Sequence, residues 1–153
     1  SIWSFLLSID EAIKGAAGIL IQFPLYFGIL GLLAGSGLIG MIADFFARSA
    51  GPDSLPLLSF FSAGLVNIFV PSGGGQWAVQ GPIIAETAKQ LQVPMHKMIM
   101  AFSYGDQWTN MLQPFWALPL LAITGLKAKD ILPYTLFIML LGALVFVPAL
   151  LFF

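Results

Sequence analysis

Charged side chains are absent from four long stretches of this chain: residues 15–43, 54–85, 107–126 and 131–153. Each is long enough for a helix that crosses a bilayer, which needs about 20 apolar residues. Backbone in hydrocarbon must satisfy its own polar groups, and a helix does so within one segment. The pattern therefore predicts an all-α integral membrane protein. Composition agrees, with 59% of residues hydrophobic and 8% charged, against about 25% charged in soluble domains. A net charge of −1 offers no basic surface for nucleic acid. Cysteine is absent, which removes disulfide frameworks, thiolate metal sites and cysteine nucleophiles together. No basic n-region precedes an early apolar run, so no signal peptide is expected. The first residue is Ser1, and the chain is read as one half of a longer protein.

Residues 1–14 read as an interfacial amphipathic segment, with Trp3, Phe5, Leu6 and Ile9 opposite Asp10, Glu11 and Lys14. A first span over 15–34 follows, then a surface helix to residue 50 carrying Asp44 and Arg48 at i, i+4. Residues 54–70 make an apolar helix of only about 25 Å, short for a core of about 30 Å. PSGGG (71–75) interrupts it, and a second helix starts at Gln76, with Glu86 and Lys89 as an i, i+3 surface pair. Two short arms around a glycine tip predict a re-entrant hairpin over 51–93 with its tip at 71–76. Residues 94–125 then form a broken transmembrane helix, with its break at 105–110, and 126–153 a last transmembrane helix. Arg48, Lys89 and Lys97 fall on one side of this topology and Lys14, Lys127 and Lys129 on the other, so the positive-inside rule selects no orientation.

Irregular backbone at membrane depth survives only where it is buried in protein or lines a wet cavity. The glycine tip reads as a plain interfacial turn between two helices or, with a second break at similar depth, as the pattern of secondary transporters. At the first break, Ser72, Gly73, Gly74, Gly75 and Gln76 bring backbone close to a ligand. The helix starting there turns free N–H groups toward an anion, while the carbonyls of Phe69 and Val70 are free to meet a cation. At the second break Asp106 is an intramembrane carboxylate, a functional candidate by default. It reads equally as an N-cap that accepts from the backbone near Thr109, and the two roles can coexist. Thr109 and Asn110, with Asn67 from the hairpin, add oxygens that suit a hard cation, although Asn67 by itself reads as an interhelical hydrogen bond. The candidate substrate contacts are thus Ser72 to Gln76 with Thr109 and Asn110. The candidate coupling-ion residues are Asn67, Asp106, Thr109 and Asn110, with Na⁺ at Asn67, Asp106 and Asn110. Trp77, Trp108 and Trp116 wall an apolar pocket, anchor at the interface or simply pack. His96 is read as a solvated boundary residue, and Gly31 and Gly35 as a close-packing pair.

FSAGLVNIFVPSGGGQWAVQGPI (61–83), SYGDQWTNMLQPFWALPLLAI (103–123) and QFPLYFGILGLLAGSGL (22–38) resemble the bacterial short-chain fatty acid transporter family. That resemblance implies carriage of small monocarboxylates such as butyrate and acetoacetate across the inner membrane by a multi-pass protein. The family is similar to a wider ion-transporter superfamily that includes sodium–dicarboxylate symporters and p-aminobenzoyl-glutamate transporters. The likeness implies two inverted repeats, each with a hairpin and a broken helix, a homodimer, and elevator-like movement. This chain then corresponds to one repeat, whose partner is the missing N-terminal repeat of the same protein. Where the dicarboxylate relatives use Ser-Asn-Thr at the hairpin tip, Ser72 is followed by glycines, and only 109–110 keep a Thr-Asn pair. No cofactor is expected beyond Na⁺ or H⁺ as coupling ion. The alternatives are a membrane enzyme, for which Asp106 lacks a second catalytic group, and a non-transporting membrane subunit or assembly partner.

Overall fold

The computed structural model describes residues 2–152, so Ser1 and Phe153, the outer ends of the expected interfacial segment and last span, lie outside the described residues. Among the described residues every regular element is helical. The order is α1 (Ile2–Gly35), α2 (Leu38–Arg48), α3 (Leu55–Phe69), α4 (Gly73–Gln90), α5 (Met95–Asn110), a 3-10 turn (Pro114–Ala117), α6 (Leu118–Thr124) and α7 (Ala128–Phe152). Two helices among the described residues are long and apolar enough to cross a membrane, over Ala16–Gly35 and Ala128–Phe152.

The expected break between an interfacial segment and a first span is not there. Residues 2–35 form one helix, with Lys14 bonded to Asp10 at 2.6 Å. Both charges face outward and are joined i, i+4 along the same helix, so they do not interrupt it. Gly37 ends the run in the left-handed region, at φ +76°, where glycine carries no Cβ penalty. In α2 the Asp44–Arg48 pair forms at 2.7 Å. Glu86, however, accepts from Gln90 at 3.0 Å, because i, i+4 brings these side chains together on α4.

The centre is the pair α3 and α5, the most extensive helix contact in the fold, with α2 and α4 packed around it and α7 along α5. Phe60 is fully buried and stacks on Trp108 with ring centroids 5.0 Å apart. Leu55, Ala63, Ile84, Ala88, Met98 and Phe102 form the main apolar cluster. Gly105 is the closest point of approach. A Cβ there would lie 2.1 Å from the Phe60 carbonyl oxygen and 2.9 Å from the Ala63 Cβ. A glycine that lets two backbones touch is therefore helical, and α5 runs unbroken through Gly105 and Asp106. The interruption expected at 105–110 falls instead at 111–113. There Leu112 and Gln113 close tighter turns onto Thr109 and Asn110, and Pro114 cannot donate the bond that would carry α5 onward.

Candidate functional site

The glycine-rich break is also displaced from its expected place. Val70 leaves the helical region ahead of Pro71, at φ −133° and ψ 75°, since proline disfavours the α conformation in the residue before it. Ser72 is the N-cap of α4, its hydroxyl accepting from the Gly75 N–H at 3.3 Å. The non-helical gap is thus 70–72, and Gly73, Gly74 and Gly75 form the first turn of α4. The Val70 carbonyl, expected to be free for a cation, accepts from the Ser72 N–H at 2.7 Å. Gly73 packs against the Asp106 carboxylate, since a Cβ there would lie 3.5 Å from Oδ2. Gly74 is exposed, and a Cβ there would meet no atom within 4 Å.

Beside this turn a polar network ties α3 to α5. Asn67, fully buried on α3, donates through Nδ2 to the Asp106 carbonyl (2.8 Å), Thr109 Oγ1 (3.1 Å) and Asn110 Oδ1 (3.0 Å). Thr109 in turn donates to the Gly64 carbonyl at 2.8 Å. Its hydroxyl is buried and engaged on both sides, which makes it a connector between helices and not a free ligand for substrate or cation. Asn110 Nδ2 lies 3.4 Å from Asp106 Oδ2. Asp106 itself sits within α5, well past the first turn, so the N-cap reading does not hold.

Three residues outside the expected set complete the network. Gln113 Nε2 donates to the Asn67 and Ile68 carbonyls at 2.6 and 2.8 Å, satisfying acceptors near the end of α3 that no further helical turn can reach. Gln76 Nε2 donates to the Ala63 carbonyl and to Gln80 Oε1, each at 2.8 Å, and Gln80 Nε2 reaches Ser62 Oγ at 3.0 Å. Gln76 was expected to face the substrate. It is fully buried and clamps α4 to α3. The visible signal for Gln80 was its i, i+4 spacing from Gln76. For Gln113 it was an amide inside an apolar run, just before proline.

After these bonds are made, three buried side-chain atoms among the described residues have no hydrogen-bond partner: Asn67 Oδ1, Gln76 Oε1 and Asp106 Oδ1. An unsatisfied buried polar atom costs about 1–3 kcal/mol. All three are oxygen acceptors, so only a donor or a cation can satisfy them. No group of three His, Cys, Asp or Glu that could hold a metal comes together among the described residues. The three unpartnered atoms are one carboxylate oxygen and two neutral amide oxygens, all hard donors.

Depth follows from α7. Trp108 Nε1 donates to the Met139 carbonyl at 2.8 Å, and Met139 is near the middle of Ala128–Phe152. That helix is about 37 Å long at 1.5 Å per residue, enough to cross a core of about 30 Å. Where α7 crosses, the stretch 106–110 lies close to mid-depth.

The short chain fatty acid transporter family model matches residues 2–153. Two relatives, from Escherichia coli (strain K12) and Haemophilus influenzae (strain ATCC 51907 / DSM 11121 / KW20 / Rd), each carry the name "Putative short-chain fatty acid transporter". The first is 45% identical over 98% of this chain and 34% of its own length, the second 44% over 97% and 33%. The chain thus spans about a third of the length of these curated relatives. No solved structure matches it.

Proposed function

Because the chain belongs to the short chain fatty acid transporter family, a family of transporters and not of enzymes, we propose that it is one repeat, the C-terminal one, of a cation-coupled carrier of short-chain monocarboxylates such as butyrate or acetoacetate. The carrier works in the bacterial inner membrane as a multi-pass protein, with α3 and α4 as its re-entrant hairpin. The observation that carries this reading is that, among the described residues, α3, α4 and α5 each hold a buried side-chain oxygen without a partner. It supports a coupling ion at Asp106, whose carboxylate faces Gly73 in the first turn of α4. We assign the ion to Asn67, Asp106 and Gln76, with Asn110 within reach through its contact with Asp106.

The carboxylate of the substrate binds at the start of α4. The first N–H groups of a helix have no partner within it, and here they belong to Gly73 and Gly74, which are exposed. A helix N-terminus attracts an anion. Glycine leaves no side chain to discriminate among tails, which suits a small acid with little besides its carboxylate. The missing repeat supplies the other half of the site, and two such chains form the dimer.

Labelled butyrate uptake tests the reading, using proteoliposomes of the full-length protein with a Na⁺ or a pH gradient imposed separately. Empty liposomes set the baseline, since butyric acid crosses bilayers unaided. Uptake above baseline under one gradient is the expected result and names the ion. Equality with empty liposomes under both gradients would remove butyrate symport. A second test isolates the backbone contact. Gly74→Ala adds a methyl group that meets nothing in the fold, so stability should hold. Butyrate kcat/KM should fall about tenfold or more, because the acid can no longer close on the N–H groups. Unchanged kcat/KM would move the substrate away from this turn.

A further inference from the structure

Helices α5 and α7 lie antiparallel. The Trp108–Met139 bond holds them at mid-length, and the Tyr104 ring stacks on Phe146 with centroids 4.9 Å apart and an interplanar angle of 20°. Beyond that stack the two helices leave a cleft of about 290 Å³, lined by Lys97, Met100 and Tyr104 of α5 and Ala149, Leu150 and Phe152 of α7. Its floor is apolar and its one charge is Lys97. That side chain belongs to a half-buried residue, and no carboxylate among the described residues forms an ion pair with it. Lys97 is in the first turn of α5, where no acidic residue offsets the positive end of the helix and Pro94 gives no side-chain cap. Lys97 and its neighbour His96 are at the polar start of α5, which suits a membrane face, while Met100 and Tyr104 follow along α5 toward the Trp108–Met139 bond.

We infer that this cleft is a binding site for one anionic phospholipid, its phosphate at Lys97 and one acyl chain along Met100, Tyr104 and Leu150. Basic pockets between transmembrane helices at a membrane face hold anionic headgroups, and a lysine whose stem lies on apolar surface keeps its charge at headgroup level. A zwitterionic lipid fills the apolar floor equally well but gains nothing net from the uncompensated charge. The inference needs only a membrane-embedded chain and is independent of the proposed transport.

Native mass spectrometry of the full-length protein in mild detergent tests it, titrated with dioleoyl phosphatidylglycerol or phosphatidylcholine. The wild type should retain the first phosphatidylglycerol about fivefold more strongly. Lys97→Ala should abolish that preference and leave phosphatidylcholine retention unchanged. Ala149→Trp, which fills the cleft, should lower retention of both lipids, and Lys127→Ala, at the opposite end of α7, should change neither. Equal retention of the two lipids by the wild type would overturn the inference. So would a preference that survives Lys97→Ala, as it would if another part of the full-length chain covered the cleft.

Discussion

Gly105→Ala should destabilise the full-length protein by about 3 kcal/mol or more, the upper end of the range for overpacking a close contact. The added methyl group would sit 2.1 Å from the Phe60 carbonyl oxygen, and a backbone atom cannot move aside as a side-chain tip can. The helices must separate, and the bonds from Asn67 to the Asp106 carbonyl and from Thr109 to the Gly64 carbonyl lengthen with them. Two other glycines grade the effect. At Gly64 a Cβ would be 3.2 Å from the Trp108 ring and 3.3 Å from the Gly105 carbonyl, so Gly64→Ala should cost about 1 kcal/mol. At Gly18 in α1 it would meet nothing within 4 Å, so Gly18→Ala should be close to neutral. Thermal unfolding in detergent, followed by the loss of the monodisperse peak, ranks the three. A Gly105→Ala protein as stable as Gly18→Ala would mean that α3 and α5 do not touch at this point.

That contact also explains where reading the sequence failed. Glycine beside aspartate in an apolar segment is compatible with a broken helix and with a tight crossing of two intact ones. The difference lies in Phe60 and Ala63, more than forty residues away, and no local pattern carries it. The uncharged stretches, by contrast, marked the apolar spans Ala16–Gly35 and Ala128–Phe152, because exclusion of charge acts residue by residue, but not the charged start of α1. The glycine run located the gap between α3 and α4 but misplaced its edges. Proline at 71 and serine at 72 carry the boundary, one barring helix continuation and the other capping the next start, while the glycines belong to the helix that follows. The site was half legible. Asn67, Asp106, Thr109 and Asn110 do come together, but Thr109 joins helices, and Gln113, Gln80 and Ser62 emerge only from the pairing of α3 with its neighbours.

Asp106→Asn should leave the fold intact and remove coupled uptake. The two side chains have nearly the same shape, and the amide oxygen can still accept from Asn110 Nδ2, so the unfolding temperature should stay near that of the wild type. What is lost is the one carboxylate beside Gly73 and among the unpartnered oxygens. Deleting one partner of a buried charge pair costs about 2–5 kcal/mol, which lowers gradient-driven butyrate uptake by roughly thirtyfold or more. Exchange of labelled for unlabelled butyrate, with no gradient, then separates the two coupling ions. If Asp106 carries a proton, asparagine imitates the protonated carrier, and exchange persists while net uptake fails. If Asp106 holds Na⁺, the amide no longer neutralises the ion, and exchange falls with uptake unless Na⁺ is raised to compensate. Asp106→Asn with wild-type uptake and exchange would leave the carboxylate as only a hydrogen-bond acceptor for Asn110, and the ion would have to bind elsewhere. Gly105→Ala, one residue earlier, should fail in both stability and uptake. The pair of neighbours thus separates the helix crossing at Gly105 from the role proposed for the Asp106 charge.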